Sequence, residues 1–424
     1  MKKIYDVVVI GAGPAGLAAA IEAKKSGAGD VLIIERNNEP GGILLQCIHN
    51  GFGSVIFKKD LPGPAYAWNF IEQARSLNVE MVFDTMVVDI TGGRKIYASN
   101  SVEGFIELDA KAIVLAMGCR ERTRAQIMAP GDRPAGVFTA GMVQRLVNIE
   151  GYMPGKNFVI LGSGDIGMIM ARRLTLEGAK VIKIIELLPY LTGLRRNYVQ
   201  CLQDFGIPLE LSTTIKRITG KKRVEAVETV RVDETLTPIA GTERVIACDS
   251  LILSVGLVPE NELSRKAGVV LDPLTLGPVV DETMATNVPG IFAAGNVVTI
   301  YDLVDYVSMA GATAGISAAK FAAGAPVSPP AFTLTPGDGV RTVMPQKITG
   351  LSGPDASVLV ELRASREFAG RVSVNILEDE NIVYSHVEKY ARPAEMITLK
   401  INWNETAKKL SNNKSGLKVN IAKI

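Results

Sequence analysis

A chain of 424 residues exceeds what one hydrophobic core organises, and domain-size statistics divide it into two or three domains. Its 47% hydrophobic and 21% charged residues describe a soluble globular protein; a net charge of +2 without a basic run gives no nucleic-acid surface, and no stretch approaches the roughly 20 apolar residues that span a bilayer. Cys47, Cys119, Cys201 and Cys248 stand far apart with no C-x-x-C, which fits reduced thiols in a cytoplasm and excludes a metal ribbon or an iron–sulfur cluster held by this chain alone.

Lys2 and Lys3 ahead of an apolar run imitate a secretory leader, but Asp6, the regular glycines and Glu22 fit a first strand and helix better. The pattern predicts a strand over 4–10, a helix over 14–26 and a strand over 31–35. Between the first two lies Gly11-Ala12-Gly13-Pro14-Ala15-Gly16, with Glu35 and Arg36 closing the second strand. This is the full specification for a dinucleotide: a strand, a tight turn, close backbone approach to a pyrophosphate, a helix N-terminus aimed at that charge, and an acidic residue for the ribose hydroxyls. Residues 40–53 are glycine-rich, and Gly41-Gly42-Ile43 opens what reads as a loop around a ligand. A helix over 64–77 and strands near 79–83 and 104–108 follow, then an apolar strand, 112–117, carrying Ala116 and ending at Gly118.

After the turn at Pro154-Gly155 the specification recurs. An apolar strand runs into Gly162-Ser163-Gly164-Asp165-Ile166-Gly167, and Glu186 stands as far past Gly167 as Glu35 stands past Gly16. One such motif is weak evidence; two at matched internal spacing predict that the chain holds two dinucleotides. Strand 250–255 ends in Gly256-Leu257-Val258-Pro259, strand 290–294 ends in Gly295-Asn296, and a small-residue helix is expected over 305–323. The proline cluster at 325–330 reads as a linker. Beyond it, period-two runs such as Val358-Val360-Leu362 and Val372-Val374-Ile376 predict a small antiparallel β-domain, a sandwich, over 331–424.

Together these features resemble the two-dinucleotide flavoproteins, the pyridine nucleotide–disulfide oxidoreductases and their relatives, over residues 4–323. The resemblance implies an α/β fold of two Rossmann-like domains, with an NAD(P) domain (136–271) inserted in an FAD domain (1–135 and 272–325), plus the β-domain. It assigns Gly11, Gly13, Pro14, Ala15, Gly16, Glu35, Arg36, Gly42, Ile43, Ala116, Gly118, Gly295 and Asn296 to FAD. It assigns Gly162, Gly164, Asp165, Gly167 and Glu186 to NAD(H). Where the family usually has an aspartate on the FAD ribityl chain this sequence has Asn296, whose amide can still form a hydrogen bond. The two redox cysteines of disulfide reductases correspond to Leu44 and His49, and the thioredoxin-reductase C-x-x-C is missing. Gly41 through Gly53, Arg133 through Val137, and Asn296 through Asp305 resemble instead the larger flavoprotein subunits of sarcosine oxidase, opine and proline dehydrogenases and hydrogen cyanide synthase. They also resemble the oxidoreductase accompanying bacterial glycerol-3-phosphate dehydrogenase.

That subgroup implies hydride transfer between NAD(H) and bound FAD, with electrons exchanged with a partner flavoprotein dehydrogenase subunit or an iron–sulfur protein in a hetero-oligomer. Glu186 repels the 2′-phosphate of NADP, and Leu187-Leu188-Pro189-Tyr190 supply no arginine to receive one, although Arg195 and Arg196 stand further on. His49 is a candidate hydrogen-bond donor or proton carrier, or else a residue that orders its loop. Cys47 is a candidate redox thiol, or else a small buried hydrophobe. Cys119, Cys201 and Cys248 read as core, His386 as structural, and the charge run Arg120, Glu121, Arg122, Arg124 as a solvated turn or a phosphate contact. Two other functions remain open: a self-contained amine, amino-acid or hydroxy-acid dehydrogenase, and a flavin- or NADH-responsive binding protein.

Overall fold

The computed structural model describes residues 2–349, 356–411 and 416–424. It divides into two compact units: Met1–Leu45, Asn50–Cys119 and Pro259–Ile424 form one, Gln46–His49 and Arg120–Val258 the other. The boundaries expected at 135/136 and 271/272 both fall further along the chain than these crossings.

The first unit is built on a seven-stranded sheet. Strand Ile4–Ile10 lies between Val31–Ile34 and Gly104–Leu115, with Glu80–Val82 beyond the former. These pairs are parallel, so the sheet is covered on both faces, and Val7, Val8, Val9, Leu32, Ile33, Ile113 and Val114 are completely buried. The strands expected at 104–108 and 112–117 are one strand of 12 residues. Its first half pairs antiparallel with Lys95–Asn100, which pairs in turn with Met86–Ile90; its second half pairs parallel with Ile4–Ile10 and Ile291–Ala293. Lys111 interrupts the apolar pattern but not the strand, because it forms an ion pair with Asp6 at 2.8 Å. Helix Pro14–Lys25 packs on Val304–Ala322 so closely that a Cβ on Gly311 would lie 2.2 Å from the Ala15 carbonyl oxygen, and one on Gly315 2.0 Å from that of Ala19. Only glycine permits that approach.

The tail of this unit is a two-sheet sandwich with its own core of Val358, Val360, Val374, Ile376, Val419 and Ile421. A five-stranded sheet runs in the order Lys347–Thr349, Pro330–Pro336, Gly416–Lys423, Val372–Glu378, Asn381–Glu388; a three-stranded sheet comprises Val340–Met344, Ser357–Ala364 and Met396–Asn402. The expectation of an all-antiparallel domain is corrected in one pair: Pro330–Pro336 and Gly416–Lys423 run parallel. With most of the domain between them in sequence, no tight turn constrains their direction.

The second unit repeats the first unit's plan. Strand Asn157–Leu161 lies between Lys180–Ile185 and Ser250–Leu253, all parallel, with Leu209–Glu210 and Val137–Thr139 outside them. Helix Asp165–Leu176 covers it, and Thr213–Thr219, Ala226–Arg231 and Arg244–Ala247 form a separate antiparallel sheet that the sequence pattern does not announce.

Candidate cofactor sites

In the first unit four stretches converge on the end of strand Ile4–Ile10. Gly11, at φ +105°, turns the chain where a Cβ would lie 2.5 Å from the Ala116 carbonyl oxygen, so the turn lies directly against Ala116-Met117. Gly16 enters the helix where a Cβ would meet the Gly11 carbonyl oxygen at 1.8 Å. The Gly41 N–H donates to the Ala12 carbonyl at 2.8 Å, and a Cβ on Gly42 would lie 3.0 Å from Gly13 Cα. Gly295 arrives from strand Ile291–Ala293 and fits against Ala15. Residues 41–46, expected as loop, include a short 3-10 helix, Gly42–Gln46, that buries Leu44 and leaves Ile43 exposed. A Cβ on Gly13 would meet nothing within 4 Å, so the turn keeps open space beside the helix N-terminus, as a pyrophosphate would require.

Glu35 is buried and held from both sides: Oε2 accepts the Ala12 N–H at 2.7 Å and Oε1 the Asn37 N–H at 2.9 Å. A carboxylate oxygen accepts two hydrogen bonds, so both oxygens keep capacity for ribose hydroxyls. Arg36 is more than half exposed and points to Glu260 at 3.9 Å. The Asn296 side chain is oriented by its neighbours. Its Oδ1 accepts the Tyr301 N–H at 3.1 Å, which forces the opposite end of the amide to be the NH2 group, 3.6 Å from Cys119 Sγ. Asn296 therefore presents a donor where an aspartate held the same way would present an acceptor. Cys119, expected in the core, is half-buried at this position; Cys201 and Cys248 are buried as expected.

The second unit reproduces this geometry. A Cβ on Gly162 (φ +99°) would lie 2.1 Å from the Ser254 carbonyl oxygen, and one on Gly167 2.9 Å from that of Gly162. Glu186 is buried, with Oε1 accepting the Leu188 N–H at 3.0 Å and Oε2 accepting the Ser163 N–H at 2.7 Å. The equivalence with Glu35 is donor for donor. The difference lies in two hydroxyls: Ser163 Oγ and Thr192 Oγ1 also donate to Oε2, at 2.7 and 3.0 Å. Three donors thus converge on Oε2, while Oε1 carries one and keeps capacity for another. Asp165 starts the helix but spends Oδ1 on the Leu194 N–H and the Asn197 amide, at 2.8 and 2.6 Å, thereby tying the following loop to the turn. Leu187 and Leu188 are half-buried, while Arg195 and Arg196 are exposed.

Cys47 and His49 belong with this second unit. Gln46 donates to the Gly141 carbonyl and to Gln144 Oε1 at 2.9 and 3.0 Å, and Asn148 donates to the Gln46 carbonyl at 2.8 Å. These contacts pin the segment to helix Ala140–Asn148. Cys47 is 4% exposed, its Sγ–H points to Gln144 Oε1 at 3.7 Å, and burial pushes its thiol up to about 12. Burial thus disfavours the thiolate that a redox nucleophile requires. His49 is half-buried. The charge run also resolves into local structure: Glu121 Oε1 accepts the Gly141 N–H at 2.7 Å near the start of helix Ala140–Asn148, and Arg124 bonds the Ala129 and Gly131 carbonyls at 3.2 and 3.0 Å. A carboxylate ahead of a helix N-terminus is a legible capping signal, but the helix starts too far along the chain for local spacing to reveal it. Among the described residues no helix is long and apolar enough to cross a membrane, and no cluster of potential metal ligands occurs.

Residues 5–314 match the family described as pyridine nucleotide-disulphide oxidoreductase. The chain is 27% identical over 317 residues to an opine oxidase chain of Agrobacterium tumefaciens, a match covering 70% of this chain and 62% of that one. It thus spans less than two thirds of its opine oxidase relative. It is 28% identical over 309 residues to thioredoxin reductase of Listeria monocytogenes, covering 70% of this chain and 86% of the other. Among solved structures, thioredoxin reductase of T. acidophilum superposes with a TM-score of 0.62 at 26% identity, over 75% of this chain and 99% of that one.

Proposed function

The chain belongs to the pyridine nucleotide–disulphide oxidoreductase family and is an FAD-dependent NAD(P)H oxidoreductase; from that premise we propose that it is an electron-transfer subunit working with NAD(H), without a redox disulfide. FAD and NAD(H), when bound, supply hydride exchange with each other. The chain's own residues bind and orient. The Gly11–Gly16 and Gly162–Gly167 turns offer helix N-termini to the two pyrophosphates, and Glu35 and Glu186 accept from the riboses. Leu187 and Leu188, which follow Glu186 directly, supply no cation for a 2′-phosphate, and this supports NAD(H) over NADP(H).

The observation that carries the reading is Cys47. A dithiol relay needs an attacking thiolate and a resolving thiol within bonding distance. Cys47 is the single cysteine of its segment, it is buried, burial pushes its thiol up to about 12, and the positions corresponding to the two redox cysteines are Leu44 and His49. The resemblance to thioredoxin reductases favours a competing reading as a disulfide reductase. The similarity to a component of an oxidase favours export of electrons to a partner flavoprotein dehydrogenase or iron–sulfur protein, with a glycerol-3-phosphate dehydrogenase among the candidates. Purified chain supplied with NADH decides between them. Reduction of an artificial dye without reduction of glutathione disulfide or thioredoxin supports the electron-transfer role; NADH-dependent disulfide reduction overturns it.

A further inference from the structure

The C-terminal sandwich presents an unusual outer face. Along strand Ser357–Ala364, Val358, Val360, Leu362 and Ala364 fill the sandwich core, so Glu361 and Arg363 point to the other side, which in a free-standing sandwich faces water. Here that side is covered. Glu361 is 3% exposed, and its strand neighbour Met344 is buried in the core of the flavin domain, against which Met396 also packs.

The covered face grips one short segment. Tyr301 Oη donates to Glu361 Oε2 at 3.0 Å and lies 3.8 Å from Met344 Sδ. Arg363 forms an ion pair with Asp302 and donates to the Ile300 carbonyl at 2.8 Å, while the Met396 N–H donates to Asp302 Oδ2 at 2.6 Å. A second grip holds residues 280–282: the Gln346 N–H donates to the Val280 carbonyl at 3.1 Å, and the Thr349 N–H to Glu282 Oε2 at 2.9 Å. The two gripped segments bracket strand Ile291–Ala293 and the Gly295-Asn296 turn that it delivers. Tyr301 is the direct link, since its backbone N–H fixes Asn296 Oδ1 while its hydroxyl is held by Glu361.

We infer that Glu361 of the sandwich is a positioning residue for the flavin site, holding Tyr301 so that the Asn296 amide is aimed at the cofactor. This rests on the reading of Asn296 as an FAD contact. The contribution of Glu361 is geometric: with the Tyr301 side chain fixed at its far end, the backbone N–H that orients Asn296 cannot drift, and the Nδ2 donor meets the cofactor without reordering.

The test is a double-mutant cycle on the full chain, reading the FAD dissociation constant by flavin fluorescence and the visible spectrum of the bound flavin, with thermal melting alongside. Tyr301→Phe removes one hydroxyl and Glu361→Ala removes the grip; each is expected to weaken FAD binding five- to twenty-fold and to shift the flavin band. Glu361→Gln, which still accepts from Tyr301, should stay within three-fold of the parent. In an Asn296→Ala background Tyr301→Phe and Glu361→Ala should have no further effect. Unchanged FAD affinity in a folded Tyr301→Phe chain, or an effect that persists in full without Asn296, overturns the inference. If Asn296→Ala alone leaves the affinity unchanged, the assignment of Asn296 to FAD fails first, and the coupling with it.

Discussion

Ser163 places both of its hydrogens on one oxygen of Glu186: the backbone N–H and the side-chain hydroxyl each reach Oε2 at 2.7 Å. Glu35 receives only the backbone half of this arrangement, from Ala12. Glu186 is therefore held by two more donors than Glu35, and its Oε1, with the Leu188 N–H alone, is the less occupied oxygen.

This arrangement predicts a preference for NADH. In anaerobic stopped-flow, NADH should reduce the bound flavin faster than NADPH, and Glu186→Gln should narrow the ratio roughly ten- to hundred-fold. That is the equivalent of the about 1.5–3 kcal/mol carried by a hydrogen bond to a charged group. Because Glu186 also holds Ser163 and Thr192, the variant will weaken both nucleotides, so the ratio and not the absolute rate is diagnostic. Equal rates for NADH and NADPH in the parent would remove selectivity from Glu186.

Gly13→Asp should give a colourless chain that cannot be reconstituted with FAD. A Cβ at Gly13 meets nothing within 4 Å, so the substitution introduces charge without steric conflict inside the protein. Its melting temperature without FAD should match that of parent apoprotein. A yellow Gly13→Asp protein would show that the pyrophosphate lies elsewhere.

Cys47→Ser should leave NADH-to-dye electron transfer within a factor of about three, as a hydroxyl can replace the thiol as donor to Gln144 at a cost of ordinary buried-polar size, about 1 kcal/mol. Loss of turnover with FAD retained would bring a thiol into the mechanism and defeat the two-cofactor relay.

Glu361 predicts a pH dependence. Burial raises its carboxyl from 4.5 to about 7; the Tyr301 hydrogen bond and Arg363 oppose the shift, and Asp302 adds to it. Below pH 4.5 the group is protonated whether the chain is folded or not, and the neutral contact is fully stabilising. Between 4.5 and about 7 the unfolded chain ionises while the folded one keeps its proton, so stability falls as pH rises, then levels off. The full loss is on the order of 3 kcal/mol. Urea unfolding at pH 5 and pH 8 should show it in the parent and not in Glu361→Gln; parallel pH responses would place Glu361 outside this linkage.

The two glycine turns were legible in the sequence because their requirements are local: a positive φ at Gly11 and Gly162, a helix start, and a carboxylate at fixed distance. The sandwich was legible for the same reason, as period two is a local signal. What escaped were relations between distant segments. Lys111 reads as a break until Asp6 is seen beside it, and Cys119 reads as core until Asn296 is placed next to it. Glu361 and Arg363 read as the solvent face of a strand, since alternation tells which residues share a side but not what covers it. Cys47 and Leu44 stand three residues apart, yet by their contacts they belong to different units.

Strand Gly416–Lys423 is the last in chain order and lies in the middle of its sheet, with Pro330–Pro336 on one side and Val372–Glu378 on the other. The order of synthesis and the order of pairing are therefore opposed. Until that strand leaves the ribosome, the two halves of the sheet have no edge in common, and the domain must wait with its centre unfilled. The grip on Tyr301 and Asp302 comes from the other sheet, whose strands Val340–Met344, Ser357–Ala364 and Met396–Asn402 all precede Gly416–Lys423 in the chain.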